Sequence, residues 1–185
     1  NRLGKKSANG SVFELHWLNG NIQNSKNVNK LYVIKYVPFI VSESSVSIKS
    51  IKKSFDREVE VGQTSGIESI GPKIYGSYKT FTFGIYVMDN LYEGHDNIDI
   101  YSLFDFMTKN PKQYYTTYQT LIFKKLNHVL RKFYKLGYYH GDLHSENIIV
   151  RIGRNAFDIR LIDYGSSQIY KTTKNLNKNS IENIL

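Results

Sequence analysis

The chain has 185 residues, 41% of them apolar, and a formal net charge of +9, enough for one sizeable core and a surface inclined towards anionic partners. It has no cysteine, which excludes disulfides and thiolate metal sites and fits a reducing, intracellular compartment. No apolar run approaches the roughly 20 residues that span a bilayer, and no signal peptide is visible. Nucleic acid is not an expected partner, because most of the 15 tyrosines lie in apolar periodic segments rather than beside a basic stripe.

In chain order, Gly4-Lys5-Lys6-Ser7-Ala8-Asn9-Gly10-Ser11-Val12 is followed by Phe13 to Leu18 and an Asn19-Gly20 turn signal. This predicts two strands joined by a loop. Asn19 to Lys30 reads as a polar loop. Leu31 to Val37 is a β-branched and aromatic run ended by Pro38, a strand that carries Lys35. From Ser47 to Gly62, the residues Ile48, Ile51, Phe55 and Val59 recur at spacings of three and four, which predicts a helix that Gly62 ends. Glu58 and Glu60 both lie on it, roughly 200° apart at about 100° per residue. Gly71 to Gly76 is a turn entering a strand, Gly84 to Leu91 is a further strand with Met88 near its end, and Gly94 to Asp99 reads as a polar loop. Leu126, Val129, Leu130, Phe133 and Leu136 mark an amphipathic helix with a basic, solvated face, stopped by Gly137.

The chemistry concentrates further on. His140-Gly141-Asp142-Leu143-His144-Ser145-Glu146-Asn147 runs directly into an apolar strand, Ile148-Ile149-Val150. A second strand, Phe157 to Ile162, ends at Asp163-Tyr164-Gly165, and Gly153 to Ala156 between them reads as a hairpin turn. The hairpin brings Asp163 back beside Asn147, so two oxygen ligands for a hard cation converge. Asp142 remains free to face an attacking hydroxyl.

These two segments resemble the catalytic loop H-R-D-L-x-x-x-N and the metal turn D-F-G of the protein-kinase superfamily. The resemblance implies an α+β, bilobal fold in a single domain. An antiparallel, β-rich N-lobe with one helix and the hinge would occupy residues 1–91, and a reduced, mainly helical C-lobe residues 92–185. It implies Asp142 as catalytic base, with Asn147 and Asp163 as ligands of magnesium, for which manganese could substitute. Lys35, in a strand that matches V-A-I-K, would reach the α- and β-phosphates of ATP. Arg57-Glu58-Val59-Glu60-Val61 resembles the family's glutamate-bearing helix, which makes Glu58 the partner of Lys35 and leaves Glu60 to solvent. Gly4 and Gly10 would bound the phosphate flap. Val12, Val33 and Ile149 would enclose the adenine, with Met88 as gatekeeper and backbone groups of Asp89 and Leu91 on the adenine edge.

Several departures qualify the resemblance. The flap is one residue longer than G-x-G-x-x-G and lacks its central glycine. Gly141 replaces the arginine that in many kinases grips a phosphorylated activation loop. His144 stands where serine/threonine kinases carry lysine, and Glu146 where tyrosine kinases place arginine. H-G-D-L-H is similar to the loop of aminoglycoside phosphotransferases. Only Ser166 to Leu185 follow the D-Y-G turn, and the chain starts close to the flap, so a fragment or a naturally abbreviated C-lobe is expected. Usage rich in lysine, asparagine, isoleucine and tyrosine resembles AT-rich genomes such as those of large DNA viruses. The expectation is a compact, atypical or viral-type serine/threonine kinase. The alternatives are a small-molecule kinase of the aminoglycoside or choline kind, and a catalytically weak, pseudokinase-like binding module. The expected partners are ATP and a protein or small hydroxyl substrate, in the cytoplasm or, for a viral protein, the host cytoplasm or virion.

Overall fold

The computed structural model describes residues 2–7, 10–14, 32–40, 47–92, 98–109, 112–153 and 157–170. The Asn19-Gly20 turn, the polar loop over 19–30 and residues 154–156 of the hairpin turn lie outside the described residues.

In β3 (Tyr32–Pro38), Val33, Lys35 and Val37 are buried while Tyr32 and Tyr36 are exposed. That is the two-residue period of a strand with one covered face. β1 (Arg2–Ser7), β2 (Gly10–Glu14), β4 (Ile74–Lys79) and β5 (Phe83–Asp89) join it. The sheet order is β1-β2-β3-β5-β4, with every neighbouring pair antiparallel. The covered face receives α1 (Ile48–Ile67), and Val37, Phe39, Phe55, Ile74 and Tyr86 form the core between them.

Ser47 caps the start of α1, its hydroxyl accepting from the amide of Ser50 at 3.2 Å, which satisfies one of the free amides of the first turn. The far end corrects the expected stop at Gly62, since the helix continues to Ile67. Gly62 belongs in the helix because β4 crosses so closely that a Cβ there would lie 2.5 Å from Ile74 Cδ1. The turn that ends the helix is built on Ser69, at φ 57°. Its amide bonds Gly66 O at 3.1 Å, and that of Ile70 bonds Ser65 O at 2.8 Å, the double closure of a Schellman cap. Glycine is the usual occupant of that left-handed position, so the sequence pattern points to the wrong residue.

The rest of the chain builds a second core. β6 (Ile98–Ser102), β8 (Ile148–Gly153) and β9 (Phe157–Leu161) form an antiparallel sheet in the order β6-β8-β9. Ile98 and Asp99 therefore belong to a strand and not to a polar loop, because Gly153 and Ile152 stand opposite to pair with them. α2 (Leu103–Lys109) and α3 (Lys112–Lys135) pack on this sheet. Ile122, Val129 and Phe133 of α3 meet Phe106, Val150, Ile159, Leu161 and Tyr164. Gly137 follows α3 with φ 86°, and β7 (Tyr138–Tyr139) then pairs with β10 (Gln168–Ile169). Val61 and Ile70 also enter this second cluster, so α1 and the turn after it touch both cores. The architecture is α+β, with antiparallel sheets and, among the described residues, three α-helices. No helix among the described residues is long and apolar enough to cross a membrane.

Candidate active site

Lys35 lies on the covered face of β3, and Glu58 on the buried face of α1 with Phe55 and Val61. Lys35 Nζ donates to Glu58 Oε1 at 2.5 Å and to Asp163 Oδ1 at 3.3 Å. Lys35 and Glu58 are 5% and 4% exposed, so each charge depends on the other for solvation. Burial alone would push the Lys35 ammonium down, but the carboxylates of Glu58 and Asp163 outweigh it and hold its pKa up. Burial raises the Glu58 carboxyl, against the pull of Lys35. Tyr86 stands opposite Lys35 in the β3–β5 register. Burial beside Glu58, its hydrogen-bond partner, pushes its phenol well up. Glu60 is exposed.

Asp163 follows β9 in the left-handed region, at φ 64° and ψ 69°. A non-glycine residue held there costs about 1–3 kcal/mol, and such residues cluster at functional turns. The turn is braced from both sides. Ser54 Oγ, one helical turn before Glu58, donates to Gly165 O at 2.8 Å. Tyr164 buries its ring against Phe133 and His140 and donates its hydroxyl to Leu161 O at 2.8 Å.

The loop from His140 to Asn147 is anchored at its ends and leaves Asp142 exposed between them. His140 Nε2 bonds Ile162 O at 2.9 Å, which assigns the ring hydrogen to Nε2, and burial lowers its pKa. Asn147 closes a short 3₁₀ turn (Ser145–Asn147). Its Nδ2 donates to Asp142 O at 3.0 Å, and its carbonyl accepts from the amide of Ile162 at 3.1 Å. That last bond holds the Asn147 and Asp163 segments side by side. Among the described residues no cluster of three or more His, Asp or Glu side chains forms a metal cage. One amide oxygen and one carboxylate suit magnesium, which keeps water and phosphate oxygens as its other ligands.

Around the expected adenine pocket, Val12 is registered opposite Lys35, and Val33 opposite Met88, which itself faces Ile74. Ile149 is fully buried on β8. Gly10, at φ 124°, lets β2 approach so closely that a Cβ would lie 2.3 Å from Tyr36 O. Gly4 lies in β1, within the stretch between Leu3 and Ser7 where the register of β1 on β2 shifts. The amide of Asp89 donates to Lys73 O at 3.0 Å, which leaves its carbonyl as the group to consider for an adenine edge, and Leu91 stands half-buried beyond the end of β5. Sequence reasoning passes over Tyr86, Ser54 and the 3.0 Å contact of His144 Nε2 with Asn147 Nδ2. Helical spacing links Ser54 to Glu58, but Tyr86 is found only once the register of β3 on β5 is known.

A family model described as the lipopolysaccharide kinase (Kdo/WaaP) family matches residues 96–183, somewhat less than half of the chain. No curated protein matches it. Among solved structures, a crystal structure of WbdD is similar at 18% identity and a TM-score of 0.57, covering 83% of this chain and 32% of that one. A structure described as the bifunctional kinase-methyltransferase WbdD is similar at 18% identity and a TM-score of 0.56, covering 83% and 31%. The chain spans about a third of the length of these proteins. The likeness shows the fold, which is kinase-like.

Proposed function

We propose that the chain is an ATP-dependent phosphotransferase whose acceptor is a saccharide hydroxyl. The observation that carries the reading is the contact of Lys35 with both Glu58 and Asp163. It joins a strand cation, a helix carboxylate and a strained acidic turn beside the loop that exposes Asp142. Lys35 would orient the α- and β-phosphates, and Asn147 and Asp163 would hold magnesium. Bound magnesium would neutralise charge on the phosphates. The acceptor oxygen attacks the γ-phosphorus, the bond to the β-phosphate oxygen breaks, ADP leaves, and Asp142 takes the hydroxyl proton. The chain supplies mainly position and charge. We read it as one domain divided near residue 91, with the nucleotide between its halves. A reaction that consumes ATP, in a chain without cysteine, fits an intracellular setting.

The saccharide acceptor is supported by the description of the family model over 96–183 and by Gly141 and His144 in place of the protein-kinase arginine and lysine. A serine or threonine hydroxyl of a protein is the second reading, favoured by the Lys35–Glu58 pair that the protein-kinase resemblance implies. The discriminating experiment offers radiolabelled ATP with saccharide, protein and small-alcohol acceptors side by side. Label on saccharide is the expected result. Label on protein alone would replace the first reading with the second, and no label on any acceptor would favour a binding module.

A further inference from the structure

Asn147 is the expected metal ligand whose donor atom can turn the wrong way. Its side-chain amide offers an oxygen suited to a hard cation and an N–H₂ that repels one, and rotation about its last bond exchanges them. Nδ2 lies 3.0 Å from the backbone carbonyl of Asp142. A carbonyl only accepts, so this contact identifies the nitrogen. The same nitrogen lies 3.0 Å from His144 Nε2. An amide nitrogen cannot accept, so Nε2 is the acceptor and the His144 ring hydrogen sits on Nδ1. Both amide hydrogens are then occupied, and Oδ1 is left for the cation.

We infer that His144 is a positioning residue for the metal site: its Nε2, together with the Asp142 carbonyl, clamps the Asn147 amide so that Oδ1 is presented to the cation. The inference rests on the phosphotransferase reading, in which Asn147 is a metal ligand. Two further observations favour it. His144 Nε2 is 3.9 Å from Asp142 Oδ2, beyond hydrogen-bond reach, so the ring is engaged by the asparagine and not by the exposed carboxylate. The 3₁₀ turn, closed by the backbone N–H of Asn147 donating to His144 O at 3.0 Å, brings the two side chains together. A lysine, which the protein-kinase resemblance would put at this position, has only hydrogens to offer and could not receive the Asn147 N–H. Histidine at 144 therefore gives this loop a means of fixing its metal ligand that the lysine form lacks.

The test is Mn²⁺ affinity, read by electron paramagnetic resonance on the whole chain with a non-hydrolysable ATP analogue. His144→Phe keeps a ring without an acceptor, His144→Lys supplies only donors, and His144→Gln restores an acceptor oxygen. The Phe and Lys variants should bind Mn²⁺ about tenfold more weakly, the usual order for losing a group that orients a ligand, with the Gln variant close to wild type. In turnover the loss should appear in the magnesium concentration needed for half-maximal rate more than in the rate at saturating metal. His144 is half-exposed, so the variants should melt near wild type. Wild-type Mn²⁺ affinity in His144→Phe overturns the inference, as does an equal loss in His144→Gln. If the wild-type chain itself fails to bind Mn²⁺ with the nucleotide, the phosphotransferase reading falls, and the inference with it.

Discussion

The amide of Ile162 donates to the carbonyl of Asn147 at 3.1 Å, and this one backbone bond keeps the two proposed metal-ligand segments in register. His140 reinforces it from below by bonding Ile162 O at 2.9 Å. The His140–Asn147 loop and the acidic turn are therefore held as one unit, to which α1 is attached directly through Ser54–Gly165 and indirectly through Lys35, which bonds both Glu58 and Asp163.

The first prediction separates two glutamates on α1. Glu58→Gln removes the main partner of a buried ammonium and should cost roughly 3 kcal/mol of stability, with phosphoryl transfer falling at least about tenfold. Glu60→Gln changes an exposed side chain and should stay within about 0.5 kcal/mol of wild type. Denaturant unfolding and transfer rates on both variants check this. Equal effects, or the reverse ranking, would contradict the assignment.

The second concerns acid. His140 Nδ1 is buried without a hydrogen-bond partner, and burial lowers the pKa of the ring from about 6.5 in the unfolded chain. Between the folded value and 6.5 the unfolded chain binds a proton that the native chain does not. Stability therefore rises with pH through that window and is lost as pH falls below about 6.5, by at most about 1.4 kcal/mol per pH unit. Unfolding free energies from pH 7 to pH 5 should fall less steeply in His140→Gln than in wild type. Identical slopes would show that His140 does not titrate in this way.

Gly141 carries the third. It sits at φ 77°, and a Cβ there would lie 2.2 Å from Ser166 O. Ser167, fully buried, donates its hydroxyl to His140 O at 3.3 Å. The segment after Asp163 thus packs closely on the His140–Asn147 loop, and no arginine fits at 141 unless Ser166 moves. Gly141→Ala should cost about 1–3 kcal/mol and lower transfer at least about tenfold. Phosphatase treatment of the wild-type chain should leave its rate unchanged, because the loop has no guanidinium fork to read a phosphate. A rate lost on dephosphorylation and restored by phosphorylation would contradict this.

Much of the site is legible where the signal is local. Val33, Lys35 and Val37 alternate with tyrosines, so the strand and its covered face can be read off together. Helical spacing sets Glu58 on the face of Phe55 and Glu60 on the other. What escapes the sequence is contact between distant segments. Tyr86 meets Glu58 only through the pairing of β3 with β5, and Ile98 and Asp99 become a strand only because β8 lies beside them. Gly62 looks like a helix stop and is a packing contact with Ile74. The true stop is Ser69, a residue type that gives no warning of a left-handed turn. The contact of His144 with Asn147 depends on a 3₁₀ turn that no periodicity announces.

The central claim is tested most directly by the rate of phosphoryl transfer from radiolabelled ATP to the acceptor that the wild-type chain labels, measured for wild type, Asp142→Asn and Asp163→Asn. Asp142 is exposed on its loop and Asp163 is partly exposed, so both variants should keep the fold. Loss of the base should lower the rate by about 10² to 10⁴, and Asp163→Asn should abolish magnesium-dependent transfer. Near-wild-type turnover in either variant would contradict the account.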